Sequence, residues 1–197
     1  MSERKHYVAT YAMQQDGAQL YSILADIQQG TRGFTRTGSV IQIHSLTFRA
    51  FMANTADYAA IRFVVLIDVE AQYPDLDTIL QVAPDSDPYH YCPSIWPYNW
   101  NKNQGLIYKD DFVICMNVNL VQGESVELQP VVNQNRVFHV EKKYTFSNLV
   151  TRYSNNPVYE GNDVVRNELE ILYIHYKIDE FGFVGTVTVD VEFSDVL

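Results

Sequence analysis

The chain has 197 residues, 47% of them hydrophobic and only 19% charged, enough to bury a full core in one domain without staples of disulfide or metal. Its formal net charge of -10 disfavours phosphate backbones and anionic membranes unless the charges segregate by face. Two cysteines, Cys92 and Cys115, with neither a CxxC pair nor a dense framework, fit a reducing compartment, and the opening Met-Ser-Glu-Arg-Lys-His is followed by no apolar signal core.

Val, Ile, Thr, Tyr and Phe dominate, fourteen tyrosines against four methionines, which is the composition a pleated, half-buried surface selects. Taken in chain order, His6 to Met13 is a short first strand candidate. Val40 to Met52 and Tyr58 to Glu70 follow as a long pair, with Asn54 to Asp57 as the turn between them. Pro74-Asp75 then leads Leu76, Ile79, Leu80 and Val82 in a short helix with an acidic start. From Ala83 to Gln104 the chain reads as a long, proline-punctuated loop, and loops of this length are usually functional.

Phe112 to Val121 alternates, with Phe112, Ile114 and Met116 opposite Val113, Cys115 and Asn117. Val137 to Phe146 alternates less regularly and carries Lys142 and Lys143, as an edge strand often does. Leu169 to Ile178 is apolar on both faces, which predicts a central or doubly covered strand. The final segment sets Val187, Val189, Val191 and Phe193 against Thr186, Thr188, Asp190 and Glu192, the period of two expected of a half-buried strand. The turn at Asp179, Glu180 and Gly182 makes these last two a candidate hairpin. No internal repeat or linker divides the chain, so residues 1–197 read as a single all-β sandwich or barrel of about eight strands. Periodicity does not fix the strand order.

Several segments together resemble a known family. Arg36-Thr37-Gly38-Ser39 runs into VIQIHSLTFRAFM, then AIRFVVLID, then Tyr73-Pro74-Asp75-Leu76-Asp77-Thr78-Ile79-Leu80, and Tyr108-Lys109-Asp110 leads into FVICMNVNLV. Order and spacing resemble the coat proteins of satellite tobacco necrosis virus and its relatives, and more distantly those of small circular single-stranded-DNA viruses, over roughly Lys5 to Asp195. The resemblance implies an eight-stranded jelly-roll β-sandwich with one short helix and a long loop, its strands lettered B to I. On that pattern C falls at 40–52, D at 58–70, the helix at 75–82, E at 111–121, F at 137–146, H at 169–178 and I at 184–194, with B between Lys5 and Leu24. It further implies a capsid protein that self-assembles as 60 copies into a small icosahedral T=1 shell, a virion component assembled inside the host cell around nucleic acid. A host receptor or glycan is a further partner, and no membrane is implied. Such coats usually begin with an arm of clustered Arg and Lys; here only Arg4 and Lys5 precede the first strand.

Candidate nucleic-acid contacts are the basic residues of the first third, Arg4, Lys5, Arg32, Arg36 and Arg49, with Arg62 beside them; the alternative is ion pairing in turns and interfaces. Acidic residues crowd the other end, Glu160, Asp163, Glu168, Glu170, Asp179, Glu180, Asp190, Glu192 and Asp195, and read as a solvated face. The resemblance also implies interface calcium there, although no fixed-spacing ligand loop occurs. His90-Tyr91-Cys92 lacks the further ligands zinc needs, and His44, His139 and His175 fall in strands, where a hydrogen-bonded structural role is ordinary. No cofactor motif, nucleophile elbow or metalloprotease signature is present, so an enzyme is not expected. Tyr89, Tyr91, Trp96, Tyr98 and Trp100 in the long loop are candidate subunit-interface anchors. The same aromatics support an alternative, a lectin-like carbohydrate-binding β-sandwich.

Overall fold

A computed structural model describes residues 3–13, 18–54, 58–80, 105–117, 136–154, 163–177 and 183–196. The strands are β1 (Arg4–Met13), β2 (Ala18–Ser22), β3 (Val40–Asn54), β4 (Tyr58–Asp68), β5 (Leu106–Asn117), β6 (Arg136–Tyr153), β7 (Val164–Arg166), β8 (Glu168–Lys177) and β9 (Phe183–Asp195), with one helical turn, α1 (Leu76–Ile79). They form a five-stranded sheet, β1-β9-β3-β6-β7, and a four-stranded sheet, β2-β8-β4-β5, with every pairing antiparallel. Four of the pairings are nested in sequence: β1 with β9, β2 with β8, β3 with β6 and β4 with β5. One long folded-back ribbon, rolled so that alternate pairs fall in opposite sheets, is a jelly roll. The three-residue β7 is an addition to the eight strands.

Alternation builds the core. Val187, Val189, Val191 and Phe193 of β9 and Ile41, Ile43, Leu46, Phe48 and Ala50 of β3 are fully buried, facing Ile61, Phe63 and Val65 of β4 and Ile171 and Tyr173 of β8. Phe48 meets Phe63 across the two layers at 5.0 Å between ring centroids, and Phe63 stacks on Phe112 at 5.3 Å. The doubly apolar β8 is central, as its sequence requires. Its Leu172 and Ile174 lie on the outer side of the small sheet with Val64 and Leu66, buried there with Ile79 and Leu80 in a second apolar cluster. Asp75 starts the helical turn by accepting from the Thr78 N–H at 2.8 Å.

Two expected hairpins do not form. β3 and β4 lie in opposite sheets, as do β8 and β9. Each pair carries an apolar stripe of period two, which can be satisfied side by side or face to face. Facing across the core buries both stripes against each other, and the nested partners then supply the ladders. The strand lettering also shifts by one. Both β1 and β2 precede Val40, so B to G fall on β1 to β6 in order, with H on β8 and I on β9. Among the described residues, β6 has only β3 beside it over residues 136–150, which agrees with its expected edge character.

Candidate nucleic-acid interface

Among the described residues, the outer side of the five-stranded sheet is largely open, although Ser45 and Thr47 near its middle are buried. Cross-strand register lays its side chains in rows: His139, Phe51, Thr186 and Ala12; then Glu141, Arg49, Thr188 and Thr10; then Lys143, Thr47, Asp190 and Val8; then Thr145, Ser45, Glu192 and His6. Arg4 continues β1 beyond His6, and Arg152 pairs with Arg166 where β7 joins the sheet. The face thus carries five Lys and Arg side chains against the carboxylates of Glu141, Asp190 and Glu192, with His6 and His139 exposed among them. On a chain of net charge -10 this local excess of Lys and Arg over carboxylates is a segregation of charge, and such a face attracts phosphate where the average surface repels it.

Ion pairs organise part of this face. Arg4 pairs with Glu192, whose carboxyl is thereby held below its ordinary range, and Ser45 Oγ donates to the same group at 3.1 Å. His6 Nδ1 lies 3.0 Å from Asp190, and Arg49 Nε donates to Glu141 at 3.0 Å. Apolar side chains stand between the charges: Val8 is 59% exposed, Phe51 53% and Val137 56%. Phe51 is the aromatic among them, and an exposed aromatic near cations is one element of single-stranded nucleic-acid surfaces.

Only two of the five expected contact residues, Arg4 and Arg49, lie on this face. Lys5 is 8% exposed and points into the sandwich margin. Its Nζ sits 2.7 Å from Asp195 and donates to Thr35 O and Thr37 Oγ1, both at 2.9 Å. Burial would raise the Asp195 carboxyl, but Lys5 and the Thr37 N–H outweigh it and hold it low. Arg36 is 3% exposed. Its guanidinium lies 4.0 Å from the centroid of the Tyr153 ring and donates to Ile27 O at 3.2 Å and Gly38 O at 2.9 Å, fastening the 27–38 segment. These two cations are spent inside the fold. Arg62 is likewise buried, with a two-pronged bond to Asp111 at 2.7 and 2.6 Å. Arg32 is exposed in a turn over the Phe34 ring, and the neighbouring Gly33 carbonyl accepts from the His6 N–H at 3.3 Å, so it stands beside the β1 margin.

The acidic third also divides differently from expectation. Glu192 and Asp195 are ion-paired and Asp190 is bonded to His6 on the large sheet, while Glu168 and Glu170 are fully buried instead of solvated. Both follow the parity of Leu172 and so lie on the covered side of the small sheet. Glu168 accepts from the Leu24 N–H at 2.6 Å, yet one oxygen of each carboxyl has no partner. Burial raises both, Glu168 well above its usual range and Glu170 to about 8, where Asp68 adds to the effect. Asp68 itself is satisfied by the Glu70 and Tyr73 N–H groups at 3.1 and 3.0 Å. Among the described residues no group of three His, Cys, Asp or Glu side chains is arranged to hold a metal ion.

Sequence reasoning missed Lys143, Arg152, Arg166 and the histidines of the open face. Alternation within VFHVEKKYTF does place His139 and Lys143 opposite Phe138 and Lys142, and Lys142 indeed turns inward over the Phe112 ring at 3.8 Å. Arg152 had no such signal, because a bulge between Ile43 and Ser45 reverses the parity of β6 beyond it, sending Leu149 and Thr151 inward and Arg152 outward. The expected anchors Tyr89, Tyr91, Trp96, Tyr98 and Trp100 and the His90-Cys92 pair lie outside the described residues.

Comparison with known proteins adds little to this geometry. No protein-family model matches the chain, and no curated protein matches it. Among solved structures, a chain of desmodium yellow mottle tymovirus is similar over 100% of this chain and 90% of that one, at 12% identity and a TM-score of 0.42. Likeness of that degree carries no functional argument, and the fold rests on the strand order itself. No helix among the described residues is long and apolar enough to cross a membrane.

Proposed function

We propose that the chain is a viral coat protein whose copies self-assemble into a small icosahedral shell, T=1 with 60 subunits, around nucleic acid. The observation that carries this reading is the nested strand order, with the outer side of one sheet covered and that of the other, among the described residues, largely open and richer in Lys and Arg than in carboxylates on an acidic chain. The sequence resemblance to satellite tobacco necrosis virus-like coats supports the same role independently of that geometry. A shell wall needs one surface toward its cargo and others toward its own copies. The open face of the five-stranded sheet, with Arg4, Arg49 and Lys143, suits the cargo side. The role is structural, with no enzymatic step and no cofactor. Residence in the virion, assembly inside the host cell, and a host receptor or glycan at the exterior belong to the same proposal. Interface calcium would have to be assembled between copies.

Electron microscopy and light scattering of the purified chain test the reading. Closed particles of uniform size are expected, with an absorbance ratio that reports co-purified nucleic acid. A chain that stays monomeric at high concentration sinks it. The carbohydrate-binding alternative rests on aromatics outside the described residues, and a glycan array with Trp96→Ala and Trp100→Ala would reveal it.

A further inference from the structure

Arg152 of β6 and Arg166 of β7 are direct cross-strand partners in an antiparallel pair. Residues so placed hold their Cβ atoms about 5 Å apart, on the same side of the sheet. Both side chains are exposed, and among the described residues neither guanidinium has an ion-pair partner. Of the acidic groups beside Arg166 in sequence, Asp163 meets Arg36 at 3.5 Å through Oδ2 while its Oδ1 has no hydrogen-bond partner, and Glu168 is buried on the small sheet. Like charges directly opposed across a ladder are destabilising, so this arrangement costs stability for as long as nothing anionic lies between them.

The β6–β7 ladder is short and shifts register between Arg152 and Tyr153, so side-chain bonds supplement it beside the pair. Thr151, one residue before Arg152, donates through Oγ1 to Asn167 O at 2.9 Å. Asn167, one residue after Arg166, donates through Nδ2 to Val150 O at 2.7 Å. Asn167 takes a left-handed backbone, φ 57°, and its N–H donates to Val69 O at 3.1 Å, which anchors the turn into β8. Two side-chain bonds therefore tie the two backbones together on one side of the arginines, while on the other side the ladder shifts register before Tyr153 pairs with Val164.

We propose that Arg152 and Arg166 form a clasp for one phosphate of single-stranded nucleic acid. Paired planar guanidiniums suit a tetrahedral oxyanion, which each can meet with two parallel N–H donors. A carboxylate of a second copy could draw on the same donors. The phosphate is favoured because the pair shares its face with Lys143 and with the ion-paired Arg4 and Arg49, where Lys and Arg outnumber carboxylates, and because Phe51 stands exposed on the same face for base stacking. The inference rests on the coat-protein reading for its cargo, but the clasp can be measured without a shell.

The test is fluorescence anisotropy of a labelled single-stranded oligothymidylate with the full chain, titrated at several salt concentrations, for the parent, Arg152→Ala, Arg166→Ala and the double variant. Affinity should weaken about tenfold in each single variant and little further in the double, because the two groups share one phosphate. The slope of log affinity against log salt should fall by about 0.7, the value for one phosphate of a single strand. Without nucleic acid, each single variant should melt at a higher temperature than the parent, since it relieves the opposed charges; a purely structural pair would move the other way. Unchanged binding, losses that simply add, or a lower melting temperature overturns the clasp. So does loss of self-association with oligonucleotide binding intact, which would assign the pair to a carboxylate of a second copy. Light scattering on the same samples keeps the two proposals apart: failure of the parent to form particles counts against the coat-protein reading and leaves the anisotropy result standing.

Discussion

Replacing Glu170 by glutamine removes a carboxyl that the fold holds in its protonated form. The side chain is fully buried on the covered side of the small sheet, one of its oxygens has no partner, and Ser22 Oγ approaches the other only at 3.5 Å. Burial first, and then the charge of Asp68, carry it from 4.5 to about 8. Its folded value lies above its unfolded one. The protonated carboxyl therefore supports the fold fully below about pH 4.5, and this support is lost as the pH rises through about 8. At 1.36 kcal/mol per unit, the displacement corresponds to an upper bound of about 4–5 kcal/mol between those limits. Glu168 moves in the same direction and steepens the fall. Urea denaturation followed by circular dichroism across about pH 5 to pH 9 should show the parent losing stability steadily. Glu170→Gln should match the parent near pH 5 and exceed it by about 2–4 kcal/mol near pH 9. A parent more stable at pH 9 than at pH 5, or a variant that declines as steeply as the parent, would refute the burial argument.

Other sites make separate predictions. Gly185 faces the Met13 and Met52 ends of its neighbouring strands, and a Cβ there would stand 2.9 Å from Phe51 O and 3.1 Å from Met13 Sδ. Gly185→Ala should therefore cost about 1–3 kcal/mol, read as a lower urea midpoint, although the β9 alternation is unchanged. Asp68→Asn should lower stability by about 1–3 kcal/mol, because a carboxylate that accepts the Glu70 and Tyr73 N–H groups secures a turn in which Ala71 and Tyr73 both take left-handed backbone. The same change should shift the titration of Glu170 downward, seen as a smaller stability loss between neutral pH and pH 9.

Hydrophobic period and composition determined the all-β class, the central place of LEILYIHYKI and the inward set of the last strand, because burial of alternate side chains is a local property of the chain. Sequence neighbours were the wrong guide to pairing. The stripe that suits β3 to a hairpin with β4 suits it equally to a place across the core, and only the summed burial of both layers selects the second. The same holds for charge. Lys5 and Arg36 look like any other basic residue of the amino-terminal third, yet their partners Asp195 and Asp163 lie at the far end of the chain and draw them inside. Conversely, Arg152 reaches the open face through a bulge opposite Ile43 and Ser45, and meets Arg166 only because β7 folds back beside it. Which residues alternate is written in the sequence. Which side of the wall each charge reaches depends on register and long-range pairing, and these are set only when the ribbon rolls up.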